Sequence, residues 1–145
     1  MTVRLFVLLL LAGLSLAACS ESNLTRDAHP TTLNGTVWRV VMVNGRSPVV
    51  RSEPTAAFGG ATVTGSSGCN SYGGAYTYDP STGAIKFQDL ATTLMLCLEA
   101  GRNEIETAFN QAINQATSAS IDPQGRLVLS GPGGELVFAV DAVPS

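Results

Sequence analysis

Gly68-Cys69-Asn70-Ser71-Tyr72-Gly73-Gly74-Ala75-Tyr76 opens, and Thr92-Thr93-Leu94-Met95-Leu96-Cys97 closes, the stretch around which this chain is organised. Two cysteines bracket a glycine- and tyrosine-rich run and an alternating apolar run, a composition that folds as paired strands. The glycines lead into the alternation Ala75-Tyr76-Thr77-Tyr78. A phosphate-cradling loop needs a helix N-terminus behind it and usually a lysine. Neither follows here, so the glycines of Gly68 to Gly74 read as turn or bulge formers.

Working outward, Asp79-Pro80-Ser81-Thr82-Gly83 reads as a hairpin loop and Ala84-Ile85-Lys86-Phe87-Gln88 as the returning strand. After Asp89-Leu90 a further extended segment is expected from Ala91 to Cys97, with Thr93, Met95 and Cys97 on one face and Leu94 and Leu96 on the other. Upstream, Thr36 to Val43 is β-branched and aromatic and is stopped by Asn44-Gly45. Trp38, the one tryptophan, suits a core anchor better than a ligand platform, because its ring removes a large apolar area from water. Residues 46–54 carry two prolines and read as a loop, and Thr55–Phe58 and Ala61–Thr64 as short strands hinged at Gly59-Gly60. Downstream, Ile105, Ala108, Phe109, Ala112, Ile113 and Ala116 recur at helical spacing from Arg102 to about Thr117. Arg126–Ser130 and Glu135–Val140 close the chain as a hairpin around Gly131-Pro132-Gly133-Gly134. The fold class is therefore α+β: a small, mostly antiparallel curved sheet or partly open barrel with one main helix.

The N-terminus sets the compartment. Arg4 precedes the apolar run Leu5 to Ala18, which ends in small residues and is shorter than the roughly 20 apolar residues of a membrane-spanning helix. Residues 1–18 thus read as a signal peptide. Leu16-Ala17-Ala18-Cys19 resembles the lipobox of bacterial lipoproteins, and the resemblance implies lipidation of Cys19. Ser20 after it implies, where the cell has two membranes, the outer one facing the periplasm. Residues 19–32 are expected to form the lipidated end and a flexible tether, in which His29 is solvated; residues 33–145 form the domain. With Cys19 lipidated, Cys69 and Cys97 are the remaining cysteines of an exported chain and are expected to pair, the alternative being two buried free thiols. A loop of about 28 residues closed in this way stabilises by roughly 3.5 kcal/mol.

Charge and chemistry exclude more than they select. The chain carries 8 basic and 11 acidic residues, with Lys86 its single lysine and no basic cluster, so nucleic acid is excluded as a partner. A serine nucleophile needs a nearby base, and the single histidine lies in the tether. Asp79 with Asp89 is the carboxylate pair a hydrolase would use, although both sit in turn-like stretches. Glu104 and Glu106, two apart on a helix, point to different sides and read as solvated charges. No metal ligand set, cofactor motif or catalytic constellation emerges, and an enzyme is not expected.

Leu33, Gly35-Thr36 and Trp38, then Gly68-Cys69-Asn70, Tyr72, Gly74 and Tyr76, then Thr93, Met95 and Cys97 together resemble the META domain, also called the HslJ-like heat-shock family, over residues 33 to about 140. Leu98 stands where many members have proline. The resemblance implies a small curved α+β fold, a bacterial envelope location and an association with stress, but no reaction. The expected function is that of a non-enzymatic, lipid-anchored envelope module that binds a partner protein or an apolar ligand. Tyr72, Tyr76, Tyr78 and Met95 are the candidate contact residues, with core packing as the alternative role. A pilot or chaperone for an outer-membrane or secretion component is a sharper form of this expectation, and an envelope hydrolase the competing one.

Overall fold

A computed structural model describes residues 29–48 and 53–141. The expectations for the signal peptide and for Cys19 lie outside the described residues. Among the described residues, eight strands and one helix follow one another as β1 (Thr36–Val43), β2 (Thr55–Gly59), β3 (Thr62–Ser66), β4 (Ser71–Asp79), β5 (Ala84–Thr92), α1 (Arg102–Asn114), β6 (Ser118–Ile121), β7 (Leu127–Gly131) and β8 (Gly134–Val140). Each strand pairs antiparallel with the next, and β8 returns to β1, so the sheet is a closed barrel.

Closure corrects the expectation of a curved sheet or partly open barrel. The bond that closes it runs between the two ends of the chain, Trp38 opposite Val140 and Val43 opposite Leu136. The thinnest seam lies between β5 and β6, whose register rests on Ala84 opposite Ser118. There the amide of Ala119 donates to the Gly83 carbonyl at 2.8 Å. The helix leaves the sheet at this seam and packs across the barrel onto β8, β5, β7 and β1.

Alternation fills the interior, and bulges reset it. Along β1 the buried positions are Trp38, Val40 and Val43, because a register shift between Val40 and Met42 moves the inward face by one residue. A second shift falls between Gly73 and Ala75 of β4, opposite Asp89, whose φ of 53° lies in the left-handed region. Side chains cannot fit there: a Cβ on Gly74 would lie 2.7 Å from the Gln88 carbonyl oxygen. This makes Gly74 the bulge former that its sequence context indicated. It also joins the expected strands 84–88 and 91–97 into one strand that ends at Thr92. Residues 93–97 of the expected segment are not a strand, a correction taken up below.

Phe58, Tyr76 and Phe87 meet inside the barrel, the first two edge to face at 5.0 Å between ring centres. Phe109 of α1 closes the mouth and meets the Tyr72 ring at 5.4 Å. Trp38 is buried, as its ring area requires, with its indole N–H donating to Thr36 Oγ1. The helix stops at Asn114, three residues short of the expected end, because the Thr117 amide is taken by the Ser130 carbonyl of β7. His29, expected to be solvated, is part-buried with Nδ1 3.2 Å from the Ala119 carbonyl oxygen. The Tyr78 hydroxyl donates to the Pro30 carbonyl at 2.6 Å, so the chain reaches the barrel along the far end of β4.

Candidate functional site

At the opposite end of β4, three short pieces converge: the link Ser67–Asn70, the loop Thr93–Leu98 and the helix face that carries Glu106. Gly68 turns the first of these with a φ of 118°, a conformation glycine alone adopts readily. The sulfurs of Cys69 and Cys97 lie 2.00 Å apart, at disulfide distance. That pair is the expected one.

Asn70 shapes the loop. Its Oδ1 accepts from the Met95 amide at 2.6 Å and from the Thr93 hydroxyl at 2.8 Å, while its Nδ2 donates to the Met95 carbonyl at 3.3 Å. A side-chain amide thus does for Met95 what a neighbouring strand would do. The segment is therefore held at Met95 without belonging to the sheet, and its apolar side chains have no second layer to enter. Leu94, Met95, Leu96 and Leu98 are 97%, 60%, 80% and 87% exposed, whereas Cys97 is buried. An apolar run that looks like a strand is instead an exposed loop fastened at Asn70 and at the disulfide.

Glu106 corrects the sequence reading most sharply. Expected to be solvated, it is buried, with Oε1 accepting from the Ser67 hydroxyl at 2.6 Å and from the Asn70 amide at 3.1 Å. Its Oε2 lies 3.3 Å from Cys97 Sγ. The signal was present: Glu106 stands three and seven residues before Phe109 and Ile113, on the buried stripe of the helix. Cys69, Cys97 and Glu106 also bring their ligand-type atoms within 4.8 Å of one another. The sulfur–sulfur bond leaves no thiolate to take a metal, so in this state the cluster is a clamp.

The four candidate contact residues do not form one site; only Tyr76 and Tyr78 come together. Tyr72 is a core residue whose hydroxyl donates to the Thr55 carbonyl at 2.8 Å. Tyr76 and Tyr78 border a shallow cleft of about 280 Å³ at the far end of the barrel, with Leu33 and Pro80. Met95 alone sits on the exposed loop. The Asp79–Asp89 pair does not form either. Asp79 opposes Ala84, five positions before Asp89 on β5, which separates the two by roughly 16 Å along the strand. Hydroxyl and amide groups of Ser81 and Thr82 hold the Asp79 carboxyl below its usual range, as befits a turn cap rather than a general acid.

Burial pushes the Tyr72 phenol well above the ordinary tyrosine range. Its folded-state value exceeds the unfolded one, so its contribution is complete below pH ~10 and is lost as pH rises, when only the unfolded chain ionises. We expect stability to fall by about 1.4 kcal/mol per pH unit above pH ~10. Burial raises the Tyr76 and Tyr78 phenols as well, so urea midpoints measured between pH 9 and 11.5 should show at least that slope in the wild type, and Tyr72→Phe should make it measurably shallower.

A closed eight-stranded barrel, plugged by one helix and carrying a disulfide-fastened apolar loop at its mouth, defines the class of this protein. The chain belongs to the META domain family, whose profile matches residues 31–143. Its fold is similar to two structures solved by NMR. One, a protein from Burkholderia xenovorans, is 24% identical, with a TM-score of 0.59 over 76% of this chain and 84% of that one. The other is 21% identical, with a TM-score of 0.60 over 77% of this chain and 96% of that one. Neither likeness carries more than the fold. Among curated proteins, none matches the chain.

Proposed function

We propose that this protein is a lipid-anchored cell-envelope module that acts by presenting the Leu94–Leu98 loop to a partner protein, without hydrolytic chemistry of its own. The observation that carries this reading is the exposure of four large apolar side chains on a segment whose backbone is fastened. Exposed apolar groups on a fastened backbone lose less entropy on docking than groups on a free chain and bury much area, which is how interface anchors work. The interior offers an apolar ligand no comparable place, because Phe58, Tyr76, Phe87, Phe109 and Phe138 fill it. Position argues for a protein rather than the bilayer. The described chain meets the barrel at Pro30, beside Tyr78, and β4 separates that end from the loop by roughly 26 Å, so the loop lies at the opposite end of the domain from the side where the N-terminal segment enters.

A photo-reactive residue at position 96, in the full chain in its native envelope, is expected to give an adduct of discrete mass. The same residue at the exposed wall position Thr77 should give none. Leu94→Ser with Leu98→Ser should abolish the adduct while changing stability by no more than about 0.5 kcal/mol, since both side chains are solvated. An adduct that survives the double change, or none from position 96, sinks the reading. Capture of an outer-membrane or secretion component would narrow it to a pilot.

A further inference from the structure

We propose that the Cys69–Cys97 bond is a thiol–disulfide exchange site that oxidises a pair of thiols in an apolar segment of a partner protein. The two sulfurs are unequal. Cys69 is half-buried at the barrel mouth, while Cys97 is enclosed at 6% exposure against the helix. An incoming thiolate therefore has one sulfur it can reach, and reach decides which sulfur is attacked. The approach is bordered by the loop: the Met95 carbonyl oxygen stands 3.8 and 3.9 Å from the two sulfurs, with the exposed Leu94 and Leu96 on either side.

Glu106 is the positioning residue for the leaving sulfur. In the disulfide neither sulfur carries a proton, so the contact between Oε2 and Cys97 Sγ at 3.3 Å is not a hydrogen bond. In the dithiol it becomes one, charge-assisted and buried, while Oε1 stays fixed by Ser67 and Asn70. The carboxylate thus favours the reduced form, the reverse of what a purely structural bond needs. The step balances as follows. A partner thiolate attacks Cys69 Sγ, the Cys69–Cys97 bond breaks, and its electron pair leaves on Cys97 Sγ. That sulfur takes up the proton the partner thiol lost and donates it towards Glu106. The partner's second thiolate then attacks the partner's own sulfur in the mixed disulfide and releases Cys69, which is protonated in turn. Two electrons and two protons pass to the cysteines, and the partner leaves with a disulfide.

Recognition of an apolar segment rests on the docking reading above, whereas the exchange itself does not, and the experiment separates them. The whole protein is equilibrated with mixtures of reduced and oxidised glutathione, and its thiols are counted by alkylation and mass. Wild type is expected to populate the dithiol within the accessible range of ratios, and the glutathione mixed disulfide to map to Cys69. Glu106→Gln should lower the equilibrium constant for reduction about tenfold. A wild-type bond that stays oxidised throughout, a mixed disulfide on Cys97, or an unchanged constant in Glu106→Gln overturns the proposal. The mapping on wild type decides the matter should that variant fail to fold. A leucine-rich dithiol peptide should be oxidised about tenfold faster than a polar one, and the advantage should vanish in Leu94→Ser/Leu98→Ser. Equal rates overturn the docking half alone.

Discussion

Phe109→Ala is expected to lower the unfolding free energy by about 3–5 kcal/mol and Tm by more than about 10 °C. Phe109 is fully enclosed, closes the barrel mouth from the helix and touches the Tyr72 ring. Loss of the ring removes its transfer free energy and leaves a cavity whose walls cannot follow inward. On the barrel side those walls are strands held in register through their ladders, and on the helix side Glu106 is held by Ser67 and Asn70. Collapse would require breaking one set of these bonds, so the cost belongs near the top of the range. Thr107→Ala, on the exposed face of the same helix, should stay within about 0.5 kcal/mol. Chemical denaturation of both variants checks the contrast. A Phe109 variant as stable as the control would mean that the helix is not a plug but an appendage.

What the sequence disclosed follows from range. Strands β1 to β3, the β4–β5 hairpin and the closing β7–β8 hairpin announce themselves by local alternation and turn residues, as the helix does by its apolar stripe. Ser118–Ile121 does not, because Ser-Ala-Ser-Ile carries no strand signature and owes its state to pairing opposite Leu127–Ser130. Closure is equally silent: Trp38 meets Val140 across almost the whole domain, and no local pattern reports such a bond. Residues 93–97 failed in the other direction. Their alternation is real, but a strand needs a neighbour, and the neighbour here is the side chain of Asn70.

The candidate site was half legible for the same reason. Counting cysteines points to Cys69 and Cys97 on the expectation of export and of a lipidated Cys19, which leaves two that can pair. Glu106 could have been found on the stripe with Phe109 and Ile113. It was passed over because, two residues from Glu104 on a helix, it reads only as half of a pair whose members point to different sides; burying a carboxylate is costly, and only the structure brings the Ser67 hydroxyl and the Asn70 amide that offset that cost.

Removing the sulfur–sulfur bond should cost nearly as much as removing the plug. Cys69→Ser with Cys97→Ser is expected to lower the unfolding free energy by roughly 3.5 kcal/mol, the closure entropy of a loop spanning 28 positions. Serine at 97 can donate to Glu106, a bond the disulfide form lacks, so the native site is not left with a bare carboxylate and the loss falls mainly on the unfolded chain. Two signatures follow from that assignment. The urea dependence should steepen, because an unfolded chain without the cross-link exposes more surface. Dithiothreitol should destabilise the wild type and leave the double variant untouched. Reduced wild type should approach the variant, since the Cys97 thiol, like the serine, can donate to Glu106. A midpoint unmoved by the double change would place the restraint elsewhere, in the hydrogen bonds from Asn70 to Thr93 and Met95. Asn70→Ala would then become the larger effect of the two, an order of costs that denaturation of the two variants side by side reads directly.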